Sequence, residues 1–174
     1  MRETIIAAGA GGQGIMLLGK VLADAAMRED KFVTWFPSYG AEVRGGTAHC
    51  MVIVSDTKIS SPYIEKADSL IIMNQPSLQR FKGRLKDNGL IVINSSLVAD
   101  CADKEPAIVQ APFTDIASKL GNIKVANMVA VGAYLARKQL VKTETVFEVF
   151  EAMAPKKELI GINKRAIEEG NKVI

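Results

Sequence analysis

The chain of 174 residues is 48% apolar and 24% charged, with a net charge of +3, one histidine and two cysteines. That length supports one domain over residues 1–174 with a sizeable core, and the composition is that of an ordinary globular protein. Cys50 and Cys101 are too few for a disulfide framework or for the roughly four thiolates of an iron–sulfur cluster, and His49 beside Cys50 lacks companion ligands for zinc.

Strand and helix signals alternate along the chain. Residues 4–8 form a short β-branched and apolar run that ends in a cluster of glycines. Residues 15–27 read as a helix with Leu18, Val21, Leu22, Ala25 and Ala26 on one face, where Gly19 and Ala23 permit close approach. Further strands are predicted at 32–36, stopped by Pro37, and at 47–54. The continuously apolar runs 69–73 and 90–93 have the character of strands buried on both faces of a parallel sheet.

Between those two runs, 76–86 reads as a helix carrying Leu78, Phe81 and Leu85, with Pro76 in its first turn. A strand at 107–110 precedes three helices. The first spans 125–139. The second is capped by Thr143 or Thr145, carries Val146, Val149, Phe150 and Met153, and is broken by Pro155. The third, 157–172, has a narrow stripe of Leu159, Ile162 and Ala166. This order predicts an α/β, three-layer Rossmann-like domain with a mostly parallel sheet and C-terminal helices.

Arg80, Lys82, Arg84 and Lys86 recur at near-helical spacing without interleaved aromatics, which marks a solvated face rather than a nucleic-acid groove. The weakly polar run 125–136 is far shorter than the roughly 20 residues that span a bilayer. Met1-Arg2-Glu3 leads straight into an apolar strand without a cleavable leader pattern, so a cytoplasmic protein with no membrane contact is expected.

Two segments carry candidate chemistry. Gly9-x-Gly11-x-x-Gly14 lies between a predicted strand and helix, where glycines admit a close ligand and the helix N-terminus presents unpaired N–H groups to an anion. A nicotinamide site also calls for an acid at the end of the second strand, and residues 32–37 contain none. The same glycines also suit a tight strand-to-helix turn.

The second segment is the run 37–46, with Ser38, Tyr39, Gly40, Glu42, Arg44, Gly45 and Gly46. It combines a phenol, a carboxylate and a guanidinium at the end of a strand, where open α/β sheets bind ligands. Arg44 is suited to gripping a carboxylate or phosphate, with Glu42 orienting it; the alternative is that the two pair with each other or with a neighbouring chain. Asn74 ends a buried strand, facing the same crevice or capping the next helix. His49 and Cys50 fall on opposite faces of their strand, the first as a packed or edge residue and the second as a small core hydrophobe.

Taken together, the segments 9–14 and 37–46, Ser61-Pro62, Met73-Asn74-Gln75-Pro76-Ser77, Asn94-Ser95-Ser96-Leu97 and Asn127-Met128-Val129 resemble the gamma subunit of the 2-oxoacid:ferredoxin oxidoreductases. The resemblance spans nearly the whole chain. It implies a subunit inactive alone, in a complex that oxidatively decarboxylates a 2-oxoacid, best matched to 2-oxoglutarate or a branched-chain 2-oxoacid, to its acyl-coenzyme A.

Thiamine diphosphate and iron–sulfur clusters would then be held by alpha, beta and ferredoxin-like partners, which pass electrons to ferredoxin, with coenzyme A acting in the complex. The resemblance marks Gly11, Gly12, Gln13, Gly14, Tyr39, Glu42, Arg44, Gly45 and Gly46 as family motif positions. It leaves open whether they touch coenzyme A, thiamine diphosphate or a sister subunit. A stand-alone nucleotide- or dinucleotide-binding oxidoreductase domain is the alternative.

Overall fold

A computed structural model describes residues 1–38, 47–99, 107–153 and 157–173. Tyr39, Gly40, Glu42, Arg44, Gly45 and Gly46 of the predicted loop lie outside these, as do Cys101 and Pro155. Six strands form one sheet: β1 (Arg2–Ala10), β2 (Phe32–Ser38), β3 (Thr47–Ser55), β4 (Ala67–Ile72), β5 (Leu85–Asn94) and β6 (Ile108–Ala111), in the order β2-β3-β1-β4-β5-β6. β1, β4, β5 and β6 pair parallel, whereas β3 runs antiparallel to both β1 and β2. Five strands therefore point one way and β3 alone runs against them, which makes the sheet mixed.

The predicted alternation holds at most elements. β1 buries both its faces: Ile5 and Ala7 pack into one core, Ile6 and Ala8 into the other. The first core lies under α1 (Ile15–Arg28), α3 (Phe113–Lys119), α4 (Ala126–Lys138), α5 (Thr143–Met153) and α6 (Lys157–Asn171). The second lies under α2 (Gln75–Phe81) and residues 59–64, so the third layer is thin. Gly19 of α1 sits against Cys50 and the Trp35 ring, where a Cβ would overlap the Cys50 sulfur; the close approach read from the sequence is real.

Four details depart from expectation. β2 continues through Pro37 to Ser38, because an edge strand has a side on which a missing N–H costs no ladder bond. α2 ends at Phe81, and a 3-10 turn, Lys82–Arg84, hands Leu85 to β5, where it pairs with Ala67. The hydrophobic spacing of Leu85 was thus answered by the sheet. α3 was not predicted, since only Phe113 and Ala117 of its seven residues are buried.

α6 is the fourth. It turns Asn163, Ala166, Ile167 and Gly170 inward, leaving Leu159 and Ile162 only half-buried. Its partner is α4, buried on all sides from Ala126 to Leu135. Gly132 of α4 lies against the Ile167 carbonyl, and Gly170 of α6 against the Val129 carbonyl. Two glycines facing opposite backbones let the helix axes come close, and that contact sets the rotation of α6.

Candidate functional site at the carboxyl ends of the strands

β1 and the parallel strands β4 and β5 end at one edge of the sheet, and the chain leaves β1 toward β2 but leaves β4 toward β5. Such a reversal opens a crevice where α/β sheets accept ligands. Ser38 pairs with His49 and Thr47 with Ala10, so the predicted 37–46 segment leaves and rejoins the described structure at this same edge.

The glycine turn is built for shape. Gly14 caps α1 at φ 71° and Gly12 has φ 90°, both in the left-handed region that other residues enter with strain. A Cβ on Gly9 would stand 2.7 Å from Ile15 Cδ1 and 2.9 Å from Met73 Cβ; one on Gly14 would overlap the Asn127 amide. Gly12 is different: it is exposed and a Cβ there meets nothing within 4 Å. Gly11 is exposed beside it.

Side-chain amides stitch this edge together. The Ala10 N–H donates to Gln13 Oε1 at 2.6 Å, and Gln13 Nε2 donates to the Met73 carbonyl at 3.3 Å. Asn94 Nδ2 donates to that carbonyl at 3.3 Å and to Thr114 Oγ1 at 2.8 Å, while Asn94 Oδ1 accepts from the Thr114 N–H at 3.2 Å. Asn127 Nδ2 donates to the Gly14 carbonyl at 3.1 Å. Asn74 Oδ1 accepts from the Ser77 N–H at 3.1 Å and so caps α2.

The sequence reading missed Thr114, Lys124 and the tethering role of Asn127. A lone amide in the otherwise apolar run of α4 was the available signal for the last.

Around these residues lies a crevice of about 170 Å³ lined by Gly12, Met73, Leu97, Thr114, Ile123 and Lys124 among others. A larger and more open depression of about 510 Å³ continues past Leu97, bounded by Gln75, Gln79, Ser95 and Ser96. A third hollow, of about 610 Å³, lies between Glu29 and the α4–α5 connection, away from every predicted residue.

His49 is buried with its ring 4.8 Å from Phe81, and its Nδ1 has no hydrogen-bond partner among the described residues. Burial first, then the Arg80 and Arg84 charges, lower its pKa. Cys50 faces the opposite core, and burial pushes its thiol up to about 12. Each therefore occupies the packed position expected of it. Among the described residues no group of three or more His, Cys, Asp or Glu side chains is placed to hold a metal, and no helix is long and apolar enough to cross a membrane.

A family profile described as pyruvate ferredoxin/flavodoxin oxidoreductase matches residues 4–173. The chain belongs to that family. It is 34% identical to the 2-oxoglutarate synthase subunit KorC of Methanocaldococcus jannaschii, over 90% of this chain and 86% of that one. It is 35% identical to the ketoisovalerate oxidoreductase subunit VorA of Methanothermobacter thermautotrophicus over 94% of this chain, yet spans only 34% of VorA's length.

Among solved structures, the keto/oxoacid ferredoxin oxidoreductase gamma subunit of Geobacter sulfurreducens superposes with a TM-score of 0.85 at 28% identity, covering 98% of this chain and 97% of that one. The mixed sheet with its two helical layers is thus the architecture of a solved member of this family.

Proposed function

We propose that this chain is the gamma subunit of a thiamine diphosphate-dependent 2-oxoacid:ferredoxin oxidoreductase, a single cytoplasmic domain working with alpha, beta and ferredoxin-like subunits. The observation that carries this is the match over most of both chains to KorC and over nearly the whole of both chains to the Geobacter gamma subunit. The family's longer members, VorA included, hold the same domain as roughly a third of one chain. The names of the relatives favour 2-oxoglutarate or a branched-chain 2-oxoacid as substrate.

The described residues include one cysteine, Cys50, and no group of three or more His, Cys, Asp or Glu side chains placed to hold a metal, so they do not fit an iron–sulfur cluster. The 170 Å³ crevice is smaller than the roughly 300–1,000 Å³ of sites that enclose a cofactor or a drug-sized ligand. In the assembled enzyme thiamine diphosphate would accept the electrons of the cleaved carbon–carbon bond and the clusters would carry them to ferredoxin.

This chain's part is to bind and orient. The Gly9–Gly14 turn presents main-chain groups, and Ser38, Tyr39, Gly40, Glu42, Arg44, Gly45 and Gly46 serve to meet coenzyme A, thiamine diphosphate or a neighbouring subunit. Asn74 caps α2.

Co-expression tests the reading. The chain alone is expected to be inactive, and the chain with its partners to reduce ferredoxin when supplied with a 2-oxoacid and coenzyme A. A complex that keeps full activity without this chain overturns it. Loss of activity on Arg44→Ala with assembly intact assigns Arg44 to a ligand rather than to the interface. The dinucleotide reading is not favoured, since β2 has no carboxylate to bind a ribose.

A further inference from the structure

The 170 Å³ crevice has a composition of its own, independent of any assignment to a complex. Lys124 lines it and has no ion-pair partner among the described residues. Thr114 lines it too. Its Oγ1 already accepts a hydrogen bond from Asn94 at 2.8 Å, which leaves the hydroxyl proton to donate.

Among the described residues no acid is part of the lining. The remaining walls include Met73, Leu97 and Ile123, and the last two are exposed large hydrophobics, at 45% and 59%. One cation and one hydroxyl donor against branched apolar walls select an anion that carries a short apolar tail.

Size narrows the class. A cavity of about 150 Å³ accommodates a ligand of six non-hydrogen atoms such as benzene, so this one admits about six to eight. A nucleotide is too large. Inorganic phosphate fits but leaves Leu97 and Ile123 uncovered.

We infer that this crevice is a binding site for a short-chain organic carboxylate, its carboxylate on Lys124 and Thr114 and its aliphatic tail between Leu97 and Ile123. The site lies on this chain alone, so it holds whether or not the chain works in a complex.

The full-length chain, titrated with isobutyrate and with 3-methyl-2-oxobutanoate and followed by amide chemical shifts, tests the inference. Saturable binding is expected with a Kd on the order of 1 mM, as suits so small a ligand. Lys124→Gln is expected to weaken both acids about tenfold, and Thr114→Val to weaken them less. Ile123→Ser, at an exposed position, is expected to weaken the branched acids several-fold while leaving acetate unchanged.

Three outcomes overturn the site: no saturation by about 30 mM, binding that Lys124→Gln leaves unaltered, or phosphate binding as tightly as the branched acids. The last would make it a plain anion site. Competition by AMP would mean that the size argument fails.

Discussion

Gln13 and Asn94 donate to one acceptor, the Met73 carbonyl, each at 3.3 Å. Met73 directly follows β4, the strand between β1 and β5, so this oxygen pins the ends of three strands and, through Thr114, the start of α3. The glycine turn is thereby held closed by its own fifth residue, and the crevice beside it has a fixed floor.

Asn94 is fully buried, so truncating it leaves the Met73 carbonyl and the Thr114 N–H short of partners. Asn94→Ala is expected to cost about 3 kcal/mol, and Gln13→Ala, in a half-buried position, about 1 kcal/mol. Urea unfolding would show both as lower midpoints at unchanged slope.

Three glycines separate close packing from helix propensity. Gly132→Ala and Gly170→Ala each drive a methyl into a carbonyl of the facing helix, and each is expected to destabilise by roughly 2–4 kcal/mol. Gly161, also on α6, has open space where its Cβ would be, so Gly161→Ala is expected to stabilise by about 0.5–1 kcal/mol. Thermal melts would show opposite signs for Gly161→Ala and Gly170→Ala along α6, with Gly132→Ala on α4 following Gly170→Ala.

His49 is the chain's one histidine, and its folded pKa lies below the ordinary 6.5. The unfolded chain therefore takes up the proton first. The stability associated with neutral His49 is complete above about pH 6.5 and declines as pH falls through the lower folded value. His49→Gln is expected to flatten the stability profile between about pH 7 and 5, where few other groups titrate. An unchanged slope in denaturant midpoints over that range would contradict this account.

Cys50 is expected to resist thiol reagents in the folded protein, since burial has raised its pKa to about 12 and its sulfur contacts the Ile15 carbonyl at 3.5 Å. In a Cys101→Ser background, alkylation is expected to follow global unfolding rather than local exposure. The rate should rise with denaturant in step with the loss of secondary structure.

Much of the fold was legible because the strands carry their own signal. The continuous apolar runs of β4 and β5 can be satisfied only by burial on both faces, and the glycines after β1 mark where the chain must turn. The predicted α6 stripe holds at Ala166, which is fully buried, and at Ile162, which packs against the core, but the rest of the inward face is chosen by Gly170 meeting the Val129 backbone, a contact made by the absence of a side chain. Leu85 was misread because one residue's hydrophobicity does not say whether a helix or a sheet will cover it.

The sequence by itself determined the alternation of strand and helix, the positions that require glycine and the family motifs, since each is written in local conformational cost or in residue order. Tertiary structure alone decided that β3 runs against its neighbours, because strand direction depends on which edge the returning chain reaches. It also brought Thr114 and Lys124 to the glycine turn about a hundred residues away. No local pattern encodes that meeting; it follows from parallel strands that all end at one edge.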